Sequence, residues 1–296
     1  MTASIDVMLP YYGDAAQFRL AVESVRAQTF PDWRLVCVED ASPAGDAADW
    51  IATLGDDRIV HRRNEANLGV AGNFAQCLAL VEAPHFTMMG SDDLMLPDHL
   101  AVLHAASRRH AHADLLQPGV RVIDGDGQPA LPLPDRIKAM LRPDSRRGDV
   151  TLTGEQLATS LIRADWAYFP SLLWRTARAQ ALGFDQRFEI ALDLGLILDI
   201  ALAGGSLVVL EPVTFEYRRH RASASMAAAR SGERFTQERT FFLEYAQRFR
   251  AQGWARAARV ARAHLISRLN AASELPGAVA ARSGLGTRRI LAHVFG

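Results

Sequence analysis

Cysteine is almost missing from this chain of 296 residues: Cys37 and Cys77 are the only two. Each lies in an apolar run without metal-ligand spacing, so the expectation is two buried, reduced thiols rather than a disulfide framework. Net charge is missing too. The 33 basic residues cancel the 33 acidic ones, which speaks against a nucleic-acid partner or a polyanion. No run approaches the roughly 20 apolar residues of a membrane span. The N-terminus has no basic stretch leading into an apolar core, so no signal peptide is expected. These absences suggest a cytoplasmic protein, with a peripheral tether at the inner membrane face as the one membrane association left open. No internal repeat is visible, and Gly-x-Gly-x-x-Gly is absent after the first apolar run, which argues against a dinucleotide-binding dehydrogenase.

What is present is an ordinary globular balance, 49% hydrophobic and 22% charged, with strand and helix patterns in alternation. Residues 5–9, 34–38, 58–61 and 85–89 read as strands. Residues 14–28, 47–54, 72–81 and 97–110 read as helices, the first with Phe18, Val22 and Val25 on one face. Such alternation predicts an α/β fold with a mostly parallel sheet flanked by helices. Farther on, 114–123 reads as a strand leading to a tight turn at 124–127. Residues 129–150, rich in Pro, Arg and Asp, read as irregular. Helices are expected at 153–163 and 190–203, an extended run at 169–174, and a strand at 206–217 broken by Pro212. Two long helices, 233–251 and 254–269, precede a loosely specified tail. Charge is uneven along the chain: residues 1–60 hold ten acidic and four basic side chains, whereas 230–296 hold twelve Arg and four Glu.

Ligands of open α/β sheets bind beyond the carboxyl ends of the strands. Three exits stand out: Pro10-Tyr11-Tyr12, Glu39-Asp40-Ala41-Ser42 and Gly90-Ser91-Asp92-Asp93. Acidic residues also cap helices and favour turns, so each exit alone has a structural explanation. Adjacent carboxylates after an apolar strand are also suited to anchoring a divalent cation against phosphates.

Taken in order, these segments resemble the family 2 glycosyltransferases of the GT-A fold. Val7 to Tyr12 is similar to the family's first strand and its nucleotide-facing exit, and Val38-Glu39-Asp40-Ala41-Ser42 to its Val-Asp-Asp-Gly-Ser segment. Asn67-Leu68-Gly69 with Asn73 resembles its Asn-x-Gly segment and helix-borne Asn, and Gly90-Ser91-Asp92-Asp93 its metal and sugar-nucleotide motif. The resemblance implies a nucleoside diphosphate sugar donor contacted by Pro10, Tyr11, Glu39, Asp40, Asn67, Gly69, Asn73 and Asp92. It implies a divalent metal, Mn2+ or Mg2+, at Asp93. In the second half, Gly183-Phe184-Asp185 followed by Leu192-Asp193 resembles the acceptor-side segment, making Asp193 the general base of an inverting enzyme. Tyr217-Arg218-Arg219-His220 resembles a closing segment whose His220 ligates metal or contacts the diphosphate. The implied acceptor is a glycan or a lipid-linked glycan, in glycan or cell-surface polysaccharide synthesis.

The match covers about 220 residues, with a catalytic domain expected over 1–228 and a helical extension over 229–296. Within the catalytic domain, residues 1–110 would bind the nucleotide and residues 111–228 would form the acceptor side. Several positions depart from the pattern: Glu39 for the first Asp, Ala41 for Gly, Gly90 for a further Asp, Leu192 for Glu and Gly195 for a second Asp. An inactive carbohydrate- or nucleotide-binding module is the alternative. A sugar-phosphate nucleotidyltransferase fits less well, because residues 10–14 lack the basic side chains that hold a triphosphate. Asp193 also has a bland reading, as an exposed helix residue beside a buried stripe. In the extension, Phe235, Phe242, Tyr245, Phe249 and Trp254 recur near helical spacing and should face inward. The outward Arg residues could meet anionic lipid, cover the fold, or form an oligomer interface.

Overall fold

The computed structural model describes residues 3–43, 45–219, 233–280 and 284–295. Four parallel strands form one half of the sheet: β1 (Ile5–Tyr11), β2 (Trp33–Glu39), β3 (Ile59–Arg63) and β4 (His85–Met88). They alternate with helices α1 (Ala15–Arg26), α2 (Ala47–Thr53) and α3 (Gly69–Ala79). Helix α1 starts where Asp14 accepts the Ala16 and Gln17 amides at 2.8 and 3.1 Å. Its Phe18, Ala21, Val22 and Val25 form the buried stripe that holds it to the sheet.

The second half is mixed rather than parallel. It comprises β5 (Leu94–Met95), α4 (His99–Arg109), β6 (Leu115–Ile123), α5 (Leu133–Leu141), β7 (Val150–Thr153) and α6 (Gly154–Ala164). Then follow β8 (Leu173–Arg175), α7 (Thr176–Leu182), α8 (Leu192–Leu202) and β9 (Ser206–Arg218). The order across the sheet is β3-β2-β1-β4-β8-β6-β9-β5, with β7 also on β9. Strand β8 is antiparallel to both neighbours, β4 and β6, while β9 is parallel to β6. Strands β6 and β9 therefore point the same way as β1–β4, and all six end on one rim.

Several sequence expectations change here. Residues 129–150 are not irregular: they contain α5 and the start of β7. Pro132 and Pro134 sit at the start of α5, where a missing amide costs nothing. Strand β9 runs unbroken through Pro212, because the β6–β9 register shifts around Gly119 and needs no amide from the proline. The helix expected at 254–269 is two, Ala255–Ala263 and Leu265–Ala280, parted at His264 in a left-handed conformation (φ 30°). The tail is helical over Gly284–Phe295.

The helix Glu233–Ala251 belongs to the main core. Phe241, Tyr245 and Phe249 pack in one cluster with residues of α6 and α8. The Tyr245 hydroxyl lies 2.7 Å from Asp199 Oδ1 and 3.0 Å from the Gly195 carbonyl. A Cβ at Gly195 would already touch Phe241 and Tyr245 at 3.5 Å, so an Asp side chain there would drive into this contact. Arg248 pairs with Asp199 at 2.7 Å, while Arg250, Arg256, Arg259 and Arg262 are exposed. The last two helices meet the first over a smaller cluster of Phe235, Ala271, Ala278 and Ile290.

Candidate active site

The rim gathers the three strand exits. After β2, Asp40 is buried and its carboxylate collects three donors: Asn64 Nδ2 and the Leu68 amide on Oδ1, both at 2.8 Å, and the Gly69 amide on Oδ2 at 3.0 Å. Two of these are amides at the start of α3, where a negative charge is stabilised by otherwise unpaired N–H groups. Asn64 also donates to Asn73 Oδ1 at 3.0 Å, and Asn73 donates to the Val38 carbonyl at 3.2 Å. Asn73 is thus a buried support for Asp40. Asn67 is exposed and accepts the Gly69 amide at 2.9 Å. Glu39 is buried between His61, at 2.9 Å, and Arg63. Tyr11 is buried with its ring stacked on Phe18, centroids 4.2 Å apart. Pro10 beside it is half-buried.

Ala41 has φ 51°, a left-handed conformation that glycine adopts freely and that costs an L-residue roughly 1 kcal/mol. The same preference accounts physically for the family's usual glycine there.

After β4, Asp93 is fully buried and Asp92 half-buried. Asp93 Oδ1 accepts the Arg218 amide at 2.8 Å, and Arg218 Nε donates to the Asp92 carbonyl at 2.8 Å. The end of β9 thereby clamps the acidic turn. Arg218 reaches on to the carbonyls of Asp124 and Gly125, both at 3.1 Å. It is therefore buried and committed. A Cβ added at Gly90 would lie 2.6 Å from Asp93 Oδ2 and 2.9 Å from Asp92 Oδ1, so the two carboxylates converge on this glycine. Burial, and then the charge of Asp92, hold the Asp93 carboxyl well above the usual carboxylate range. Two convergent hard oxygen donors suit Mg2+ or Mn2+, with phosphate oxygens completing the shell. No group of three or more His, Cys, Asp or Glu side chains converges among the described residues, and His220 lies outside them. Gly90→Ala should yield a folded protein whose metal-dependent nucleotide binding is weakened tenfold or more, the methyl group displacing both carboxylates. Calorimetry beside the parent checks this.

Asp193 opens α8, half-buried, with Oδ1 accepting the Leu194 amide at 2.8 Å. Its carboxyl is pushed up to about 6, first by burial and then by the charge of Asp165. Asp165 ends α6 with φ 35° and faces Lys138 Nζ at 3.6 Å. Lys138, the single lysine of the chain, also donates to the Ala167 carbonyl at 3.1 Å. Beside it, fully buried Asp135 of α5 takes a two-pronged contact from Arg219, at 2.8 and 3.0 Å, and the Tyr168 hydroxyl at 2.9 Å. Arg219 is thus paired rather than free for phosphate. Trp166 is buried, its Nε1 donating to Ser160 at 2.9 Å, and it packs in the main core. Asn64, Asp135, Lys138, Asp165 and Tyr168 fall in none of the family segments quoted above, so the sequence did not mark them as site residues. The solitary lysine was the one signal available.

Residues 6–164, which carry the three strand exits, match the profile of "Glycosyl transferase family 2". The candidate glycosyltransferase EpsE of Bacillus subtilis is 26% identical over 125 residues, 42% of this chain and 45% of that one. WcaA of Escherichia coli, a candidate glycosyl transferase of colanic acid biosynthesis, is 24% identical over 196 residues, 64% of this chain and 67% of that one. The chain thus spans about half of the EpsE sequence and two thirds of WcaA. Among solved structures, S. aureus TarS 1-349 in complex with UDP-GlcNAc superposes with a TM-score of 0.64 at 18% identity, covering 81% of this chain and 66% of that one. The likeness shows that the two share a fold. With more than half of its length matched by the family profile, this chain belongs to glycosyl transferase family 2.

Proposed function

We propose that the protein transfers a sugar from a nucleoside diphosphate sugar to a hydroxyl acceptor, with inversion at the anomeric carbon, in glycan or polysaccharide synthesis. The observation that carries this is the convergence of Asp92 and Asp93 on Gly90 at a rim shared with Asp40 and Asn64. The UDP-GlcNAc bound by TarS supports a uridine donor, and the colanic acid biosynthesis in which WcaA is placed supports a glycan product.

In this mechanism Asp40, held at the start of α3, faces the nucleoside, with Asn64 and Asn73 keeping its carboxylate oriented. Glu39, Pro10, Tyr11, Asn67 and Gly69 shape the rest of that pocket through their backbone and packing. Asp92 and Asp93, joined by His220, would hold a divalent cation, which when bound neutralises the diphosphate charge. Asp193 accepts the proton of the acceptor hydroxyl. The acceptor oxygen then bonds to the anomeric carbon, and the bond to the diphosphate oxygen breaks with its electron pair. A carboxyl raised to about 6 is still mostly ionised at neutral pH and basic enough for this task. The catalytic unit would comprise 1–228, acting in the cytoplasm. No described helix is long and apolar enough to cross a membrane.

Calorimetry with UDP, in the presence and absence of Mn2+ or Mg2+, tests the assignment. Metal-dependent binding is expected in the parent and should be lost in Asp93→Ala. Failure of every nucleoside diphosphate to bind with metal, or unchanged binding in the variant, would overturn it.

A further inference from the structure

Helix α5 turns a large apolar stripe to solvent, next to the corner that holds Asp193. Leu133, Ile137 and Met140 recur at helical spacing and are 67%, 36% and 83% exposed, and Leu131 just ahead of them is 60% exposed. The helix is not adrift: Asp135 locks its opposite face to Arg219 and Tyr168. Its exposed residues therefore stand on a fixed support. On the other side of the helix a cleft of about 570 Å³ separates α5 from strands β6 and β9, lined by Leu131, Ala139 and Val213 but also by Asp135, Lys138 and Arg142.

Charge decides what covers the stripe. Residues 131–147 carry five cations (Arg136, Lys138, Arg142, Arg146 and Arg147) against Asp135 and Asp144. Asp135 faces inward onto Arg219, Asp144 and Arg146 are tied to each other at 2.8 Å, Lys138 faces Asp165 at 3.6 Å and Arg142 is turned onto the Leu210 carbonyl, so the excess at the surface rests on Arg136 and Arg147. Arg136, within α5, and Arg147, six residues past its end, are both exposed. In a chain with no net charge, this is a local positive excess around an apolar ridge, the pattern of a helix lying in a bilayer interface. A symmetric contact with a second copy would set these cations against one another, whereas anionic headgroups complement them.

We propose that the α5 face docks on the surface of an anionic lipid bilayer, with Leu133, Ile137 and Met140 entering the headgroup boundary. The docking would set the acceptor side of the site against the membrane, a consequence that rests on the proposed transferase reading, although the binding itself does not.

Co-sedimentation of the full chain with vesicles tests it without any activity measurement. The parent should bind vesicles of phosphatidylcholine with phosphatidylglycerol, bind those of phosphatidylcholine alone at least tenfold more weakly, and release as salt rises. Replacing all three stripe residues with serine, or making Arg136→Glu with Arg147→Glu, should each reduce binding at least tenfold. These side chains are exposed, and circular dichroism should confirm an intact fold. The double change Leu265→Ser and Leu269→Ser, at exposed positions of the tail, should leave binding intact. Because Cys37 and Cys77 are buried, Met140→Cys can be labelled selectively with an environment-sensitive fluorophore, whose emission should move to the blue on anionic vesicles. Unshifted emission, equal binding by parent and serine variant, or loss through the tail variant would overturn the proposal. So would a dimer in vesicle-free sedimentation velocity that the serine variant abolishes, since the stripe would then be a self-interface.

Discussion

Asp193→Asn is expected to leave the fold and the UDP affinity unchanged while reducing sugar transfer by ~10²-fold or more, the usual order for removal of a general base. The amide keeps the shape of the side chain and can still accept the Leu194 amide, but it takes no proton. The pH profile separates this from a packing defect. Burial and Asp165 raise the Asp193 carboxyl to about 6, so below that pH the protonated fraction grows and transfer should fall about tenfold per pH unit. Above it the base is ionised and the rate levels off. Removing the neighbouring charge with Asp165→Asn should stabilise the ionised form, lower the pKa and move the acidic limb to lower pH. Turnover of Asp193→Asn comparable with the parent, measured with the true acceptor, would defeat the base assignment.

The second large effect is on stability. Asp135→Ala should lower the free energy of unfolding by about 3 kcal/mol, because it strips a buried carboxylate from Arg219 and Tyr168 and leaves a cation without its partner. This is the lower end of the usual range, since the Arg219 side chain is 36% exposed. Replacing both members at once, Asp135→Leu with Arg219→Met, should cost distinctly less than Asp135→Ala alone, because no unpaired charge remains. Urea unfolding of the single and double variants measures the difference. Equal losses would mean that α5 is held by packing and not by the ion pair. The same variants bear on the site, because Arg219 directly precedes His220.

Much of the site was legible in the sequence because its residues lie in short runs at strand ends. The parallel half of the sheet rests on local alternation of period 2 and period 3.6, and β1 to β4 and their helices lie close to where those periods placed them. The segments after β1, β2 and β4 are contiguous motifs, so the sequence determined the family and the strand exits that meet at the rim. It also determined that Cys37 and Cys77 would be buried, free thiols.

Long-range pairing was decided only by the tertiary structure. Asp135 and Arg219 lie 84 residues apart, and Asp93 meets the Arg218 amide across 125. No local period encodes such contacts, and a stretch of Pro, Arg and Asp looks irregular until its carboxylate finds a partner. Strand β9 follows the same logic. Pro212 breaks a strand judged by itself, but not one whose neighbour shifts register at Gly119. The direction of the arginines was equally hidden. Arg218, Arg219 and Arg248 resemble solvated charge in the sequence, and each is held by a carbonyl or carboxylate from a distant element. Local sequence sets what a segment can become, and the cost of burying an unpaired polar group decides, across the whole fold, which of those forms it takes.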